Sequence, residues 1–170
     1  MPISLYQASI PVFIRMLSSL SANLDKGAAH AAEHKFDPAA LLTARLYPDM
    51  YTLTGQVQIA TDQAKGGAAR LADVEIPKME DTEKNFAELS ARIAKTIAFL
   101  NSLKPQQIDG RENAEIQVPV GRDSHRAMTA QFYLLDFVLP NFYFHVTTAY
   151  AILRHNGVAI GKRDFLGIDR

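Results

Sequence analysis

Residues 49–72 read DMYTLTGQVQIATDQAKGGAARLA, and their apolar positions recur at the three- and four-residue steps of an α-helix. Pro48 stands directly before this segment and separates it from the preceding residues. The apolar stripe consists of Leu53, Val57, Ala60, Ala64 and Leu71. A stripe of this kind requires other elements to cover it, so the rest of the chain should supply packing partners.

Three further segments show the same helical periodicity. The first covers residues 5–24, and the last covers residues 140–156, with Gly157 as its C-terminal cap. The middle one has Asp81 or Thr82 as its N-cap and ends at Pro105. A short extra helix should begin at the N-cap Asp37 and run through residue 46.

The region before the last helix has a different pattern. Polar and apolar residues alternate over residues 115–120, residues 121–124 are typical of a turn, and Met128, Ala130 and Phe132 could alternate on a returning strand. We therefore expect a small β-hairpin here and an irregular tail over residues 158–170.

The lengths of the connections predict the topology. The link at residues 73–80 is short, which favours antiparallel packing of the helices that flank it, whereas the other two links are long enough to cross the bundle. The sequence thus predicts a mainly α protein, a single domain over residues 1–170, with an up-up-down-down four-helix bundle.

Composition excludes several classes of function. The chain has 18 basic and 18 acidic residues and no cysteine. A balanced charge argues against nucleic-acid binding, and the lack of cysteine excludes disulfides, thiolate metal sites and a cysteine nucleophile. The N-terminal residues lack the pattern of a signal peptide, and no apolar stretch approaches the roughly 20 residues of a membrane span. We expect a cytoplasmic protein that binds neither nucleic acid nor membrane.

One polar cluster stands out beside the apolar stripe. Four side chains share one face of the helix by their spacing, namely Tyr51, Gln58, Asp62 and Lys65. His145 lies on the almost wholly apolar last helix and could point toward Gln58 and Asp62 if the two helices are neighbours. A carboxylate beside an imidazole can prepare a general base or clamp a ligand. The simpler interpretation is a solvated helix face and a core histidine with one hydrogen bond.

A second pattern involves His30, Glu33 and His34, which follow the H-x-x-E-H order of inverted zinc peptidases. The spacing places both imidazoles on one helical face, as zinc requires. Those peptidases are much larger enzymes, so we favour a chance match.

Two long blocks resemble a known family. Residues 36–72, FDPAALLTARLYPDMYTLTGQVQIATDQAKGGAARLA, and residues 141–167, NFYFHVTTAYAILRHNGVAIGKRDFLG, are similar to the hallmark blocks of an uncharacterised bacterial domain-of-unknown-function family within the DinB-like superfamily. The resemblance implies a four-helix bundle with long crossovers, often a homodimer. Many superfamily members hold a divalent metal through one histidine on the second helix and an H-x-x-x-H pair on the fourth. Here only His145 matches, because Asn141 and Ala149 stand four residues to either side.

These observations support three hypotheses of function. The first is a protein that binds a small polar ligand through Tyr51, Gln58, Asp62, Lys65 and His145, without a metal cofactor. The second is a metal-dependent or metal-free group transferase or hydrolase that uses His145 as base and Asp62 to orient it. The third is a structural or partner-binding homodimer, in which the polar cluster has no ligand.

Overall fold

The computed structural model describes residues 3–119 and 124–168, which form a helical bundle with one small hairpin. The elements are α1 (Leu5–Glu33), α2 (Ala39–Leu42), α3 (Leu53–Ala72), α4 (Phe86–Ser102), α5 (Pro105–Ile108), β1 (Glu115–Pro119), β2 (His125–Thr129), α6 (Ala130–Phe132), a π-helical segment (Tyr133–Val138), α7 (Leu139–His155) and α8 (Lys162–Leu166). The mainly helical fold and the hairpin are therefore confirmed.

Helices α1, α3, α4 and α7 form the bundle and enclose its apolar core. Helix α3 packs mainly against α7 and α4, and α1 packs against the same two helices from the opposite side. The predicted stripe of α3 is buried against them, since Leu53, Val57, Ala60, Ala64 and Leu71 are all within the core. This arrangement places α1 and α3 on one diagonal of the bundle and α4 and α7 on the other.

The helix directions differ from the predicted order. Helices α3 and α4 run parallel, because Gln58 near the start of α3 bonds Glu83 just before α4, while Asp73 at the end of α3 pairs with Arg111 beyond α4. The predicted antiparallel packing of these two helices is wrong. Residues 73–85 are long enough, at about 3.3 Å per residue, to return along the bundle and start α4 at the same end as α3.

Helices α1 and α7 also run parallel to each other. The ring of Phe13, in the first third of α1, lies 5.0 Å from that of Phe142, near the start of α7. Toward the other end, a Cβ added to Gly27 would come within 2.9 Å of Leu153. At Gly27 the side chain of Leu153 therefore lies too close to the backbone of α1 to leave room for a Cβ.

Helices α3 and α7 run antiparallel. Gln56 near the start of α3 bonds His145 within α7, whereas Gly67 near the end of α3 lies against Val138, just before α7 begins. Because α3 and α4 share one direction and α1 and α7 the other, the order along the chain is up-down-down-up. The up-up-down-down order predicted from loop lengths is corrected accordingly.

The ends of several helices also differ from the sequence prediction. Helix α1 continues to Glu33 instead of ending near residue 24, because Gly27 serves close helix packing and is not a terminus. The short helix α2 ends at Leu42, before the predicted residue 46. The N-cap of α4 is Asn85, whose Oδ1 accepts the Glu88 N–H at 2.9 Å, and neither Asp81 nor Thr82 caps it.

The hairpin pairs β1 with β2 in an antiparallel register that joins Glu115 to Thr129 and Pro119 to His125. The predicted return strand extended to Phe132, but Thr129 ends the strand because its side chain caps the next helical turn. Of the predicted turn, residues 121–123 lie outside the described residues, as does the last residue of the predicted first strand, Val120.

The segment after α7 contains a helix where an irregular tail was expected. Helix α8 covers Lys162–Leu166 and docks on α1. Its capping residue is Gly161, and its C-terminal end is Gly167 in the left-handed conformation. Within residues 3–119 and 124–168, no helix combines the length and the apolar character that crossing a bilayer requires.

Candidate functional site

The structure divides the predicted polar cluster into two separate sites on opposite sides of α3. Gln58, Asp62 and Lys65 face α4, whereas the side chain of α3 that bonds His145 is Gln56. Residues two positions apart on an α-helix point about 200° apart, so Gln56 and Gln58 face opposite neighbours. His145 therefore does not meet Gln58 and Asp62. The five residues of the first hypothesis do not form one site, and the His145–Asp62 pair of the second is not formed.

The first site is centred on Arg92 of α4, which the sequence analysis did not single out. Its guanidinium is only 1% exposed. Nε donates to Thr61 Oγ1 at 2.7 Å, Nη1 donates to Glu83 Oε1 at 3.1 Å and Nη2 donates to Asp62 Oδ1 at 2.8 Å. Asp81 Oδ1 lies 3.0 Å from the same Nη2. We call these residues the Arg92 cluster.

The backbone and two further side chains complete this cluster. Arg92 Nη1 also donates to the carbonyl oxygen of Glu80 at 3.0 Å. Gln58 Nε2 donates to Glu83 Oε2 at 2.8 Å, and Lys65 Nζ lies 2.8 Å from Asp62 Oδ1. The cluster joins α3, α4 and the link between them, which fixes the parallel pairing of the two helices.

The charges within the Arg92 cluster stabilise one another. Burial acts to raise the pKa of Glu83, but hydrogen bonds from Gln58 and Arg92 outweigh it and hold that pKa below its usual value. Burial likewise acts to lower the pKa of Arg92, and the surrounding carboxylates raise it instead. Both shifts favour the charged forms of Glu83 and Arg92, and protein groups partner these charges, which is typical of a structural network.

A cavity of about 350 Å³ lies beside this cluster, between the link and α4. Glu80, Glu83 and Glu88 contribute to its lining, together with Lys95. Because the guanidinium of Arg92 already donates to four oxygen atoms and forms an ion pair with a fifth, that of Asp81, it has little capacity left for a ligand in this cavity.

The second site joins His145 of α7 to Gln56 of α3. His145 Nδ1 lies 2.7 Å from Gln56 Oε1, and Gln56 Nε2 donates to the carbonyl oxygen of Tyr51 at 3.3 Å. Since the amide nitrogen is engaged with a carbonyl, its oxygen faces the imidazole and Nδ1 carries the proton. Burial lowers the pKa of His145, which favours the neutral ring.

Nε2 is consequently the free acceptor of His145. The described hydrogen bonds of this ring involve Nδ1 alone, and Nε2 is not among the enclosed unpaired atoms of the described residues, so it reaches solvent. The exposed ring of Phe144 stands edge-on to the imidazole at 5.2 Å. The predicted site residue Tyr51 precedes α3, contributes only its carbonyl to this arrangement and has an exposed side chain.

The histidines of the H-x-x-E-H pattern lie at the end of α1. The rings of His30 and His34 pack against each other with centroids 4.2 Å apart, and His34 Nδ1 lies 3.0 Å from the His30 carbonyl oxygen. In the part of the chain that the structure describes, no three histidine or acidic side chains come together in a way that could hold a metal ion.

Both residues that sequence reasoning missed occupy positions that a helical stripe reserves for apolar side chains. Arg92 follows Leu89 by three residues on the buried face of α4, and Gln56 follows Leu53 by three on α3. A polar residue at a buried position needs hydrogen-bond partners, so a polar residue within an apolar stripe is the sequence signal by which Arg92 and Gln56 could have been found.

Comparisons with known proteins agree with this architecture. Residues 5–166 match the model of a family described as Domain of unknown function (DUF1993). The crystal structure of a DinB family member protein from Shewanella denitrificans has a TM-score of 0.89 and 41% sequence identity, over 97% of this chain and 93% of that chain. The comparison with curated proteins gave no significant match. The chain therefore belongs to the DUF1993 family of DinB-like helical bundles.

Proposed function

We propose that this protein binds a small polar ligand at the edge between α3 and α7, where His145 and Gln56 meet. The observation that carries the proposal is the free Nε2 of a half-buried, neutral imidazole whose orientation is fixed through Nδ1. Such a nitrogen is a directed acceptor for a hydroxyl or N–H group of a ligand. The exposed ring of Phe144 offers an apolar surface beside it.

The proposal modifies the set of residues expected from the sequence. Gln58, Asp62 and Lys65 serve the Arg92 cluster, so we assign the ligand to His145 and Gln56 instead, with Tyr51 supporting the glutamine through its carbonyl. Only one imidazole is present where the superfamily pattern has three, which supports binding without that metal site.

The alternative of a group transferase or hydrolase depends on Asp62 orienting His145. Asp62 instead pairs with Arg92 and Lys65, and a neutral amide takes the place of the carboxylate beside the ring. A glutamine fixes the tautomer of an imidazole but does not stabilise its protonated form as a carboxylate does. Binding is therefore the better supported of the two functions.

The test is a thermal-shift screen of small hydroxyl- and amine-bearing compounds on the wild type and matched variants. A true ligand should stabilise the wild type and His155→Ala, whose histidine is exposed at the end of α7, but neither His145→Ala nor Gln56→Leu. The ligand should also stabilise Asp62→Asn, as it does the wild type. A compound that fails with Asp62→Asn and still stabilises His145→Ala would move the site to the Arg92 cluster and refute the proposal.

We also propose that the protein forms a homodimer, as the family resemblance implies. Two of the large exposed apolar side chains on the described surface, Ile3 and Leu135, line the same surface cavity and so lie close together. Exposed apolar side chains that lie together on a surface are a common feature of interfaces. Light scattering coupled to size-exclusion chromatography measures the mass directly, and a value near 18.8 kDa would show a monomer.

A further inference from the structure

A further cavity lies at the start of α1 and is distinct from the edge at His145. Its volume is about 530 Å³, which is within the range of small-molecule sites. Ile3, Leu5 and Ala8 line it from α1 and the residues just before that helix, and Leu135 lines it from the π-helical segment. These four side chains give the cavity an apolar wall.

The polar part of the lining consists of Ser4, Glu112 and Gln131. The backbone fixes Glu112 beside Gln131, because the Gln131 N–H donates to the Glu112 carbonyl oxygen at 3.0 Å. Oε1 of Glu112 accepts the Gly110 N–H at 3.2 Å, and no hydrogen bond to its Oε2 comes from the described residues. Each of the three polar side chains therefore brings an oxygen acceptor to an otherwise apolar cavity.

The charge of Glu112 has no counterpart in this lining. Glu112 is the single charged side chain among the described lining residues. Over residues 3–119 and 124–168, no lysine, arginine or histidine forms an ion pair with its carboxylate. A half-buried carboxylate beside apolar side chains is less well hydrated than one in bulk water, so a cation stabilises it more strongly.

The positive end of α1 lies close by, but other groups already compensate it. The Tyr6 N–H donates to Asp109 Oδ1 at 2.8 Å, and the Gln7 N–H donates to Ser4 Oγ at 3.3 Å. Asp109 therefore provides the negative group that a helix N-terminus favours. Glu112 remains available for a separate cation.

We propose that this cavity binds a small primary amine that carries an apolar chain. Such an amine is protonated at neutral pH, as the lysine side chain is, and its ammonium group has three N–H donors. Oε2 of Glu112 would form an ion pair with the ammonium group, and the oxygens of Gln131 and Ser4 would accept its other hydrogens. The apolar wall would pack against the chain of the ligand.

The exposed side chains of Ile3 and Leu135 form the rim of the cavity. The homodimer proposed above would cover the outer face of this rim, whereas the amine would fill the space behind it. The proposed binding therefore applies to a monomer as well as to a dimer.

Isothermal titration of the full chain with n-hexylamine, 1-hexanol and hexanoate tests the site. These probes share an unbranched six-carbon skeleton and differ in the charge of the head group. We expect hexylamine to bind, hexanol to bind about tenfold more weakly because it lacks the charged hydrogen bond, and hexanoate not to bind. The affinity for hexylamine should also fall as salt is added, since salt screens an ion pair that is partly exposed.

Glu112→Gln removes the charge and keeps Oε1 for the Gly110 N–H, so the thermal stability should stay the same. Hexylamine should bind this variant about tenfold more weakly than the wild type. Glu115→Gln is the matched control, because Glu115 is an exposed glutamate of β1 outside the cavity lining, and its affinity for hexylamine should equal that of the wild type. His145→Ala should also bind hexylamine like the wild type, which separates this cavity from the edge at His145.

Leu135→Ala tests the apolar wall with little effect on the core, since Leu135 is 45% exposed. It should weaken the binding of hexylamine and hexanol by the same factor, because both probes use the same chain. The proposal is overturned if hexylamine does not bind at millimolar concentration or if hexanol or hexanoate binds as tightly as hexylamine. It is also overturned if Glu112→Gln or Leu135→Ala binds hexylamine as tightly as the wild type.

Discussion

The substitution Arg92→Met should destabilise the protein more than any change on its exposed surface. Methionine preserves much of the length and apolar volume of the arginine, so the core around α4 stays filled. The change removes every hydrogen bond of the guanidinium and leaves three carboxylates near one another without their common partner.

The magnitude follows from the burial of each partner. Asp62 and Asp81 are 39% and 59% exposed, so solvent screens them and each pair contributes about 0–1 kcal/mol. Glu83 is 11% exposed and Thr61 is fully buried. A hydrogen bond between charged groups in such surroundings contributes about 1.5–3 kcal/mol. Breaking a buried pair from one side typically costs about 3–5 kcal/mol, which is the loss we expect here.

Urea denaturation followed by circular dichroism measures this loss as a change in the free energy of unfolding. Arg45→Met is the matched control, because Arg45 is exposed and among the described residues donates to the Met50 carbonyl alone. It should change stability by less than about 0.5 kcal/mol. The Arg92→Met loss should shrink in a Glu83→Gln background, since the two residues are coupled. A loss below about 1 kcal/mol, or equal losses in both backgrounds, would refute the reasoning.

Three further predictions concern single residues. Gly67→Ala should destabilise by about 1–3 kcal/mol, because its Cβ would lie 2.6 Å from Val138 Cγ1, and Val138→Ala should relieve the loss in a thermal unfolding assay. The pKa of His145, measured by NMR, should lie below 6.5, because burial disfavours the charged ring. As the pH drops from 6.5 to this folded-state pKa, the unfolded chain binds the proton more readily, so the free energy of unfolding decreases. His145→Gln should remove this pH dependence of the stability. The pKa of Glu83 is lower in the folded state than in the unfolded state, so its carboxylate stabilises the fold fully above pH 4.5, and this stabilisation is lost as the pH falls through the folded-state pKa. The difference in Tm between the wild type and Glu83→Gln should therefore become smaller as the pH is lowered below 4.5.

The sequence predicts the elements of this fold better than their arrangement. Apolar spacing identifies the four long helices, because burial of one stripe requires that spacing whatever the neighbours are. The directions of the helices depend on how a link runs, and residues 73–85 can either reverse the chain or return along it. The choice is made by contacts distant in sequence, such as Gln58 with Glu83, which no local pattern contains.

The candidate sites show the same division. His145 is recognisable as a polar residue on an apolar helix, but whether it meets Gln56 or Gln58 depends on the side of α3 against which α7 packs, and the tertiary arrangement decides that. Helix α1 continues beyond the predicted residues 5–24, and within the added part Gly27 lets Leu153 of α7 and Phe86 of α4 approach the backbone.

The π-helical segment Tyr133–Val138 has a geometric consequence for the hairpin that precedes it. A π-turn holds one residue more than an α-turn, so the chain before it is offset by about 100° around the helix axis relative to a continuous α-helix. Deleting a single residue from this segment would restore regular winding and turn the preceding chain by that angle, which would move Ile116 and Met128 of the hairpin out of their buried positions. The extra residue of the π-helical segment thus determines the position of the hairpin around the helix axis.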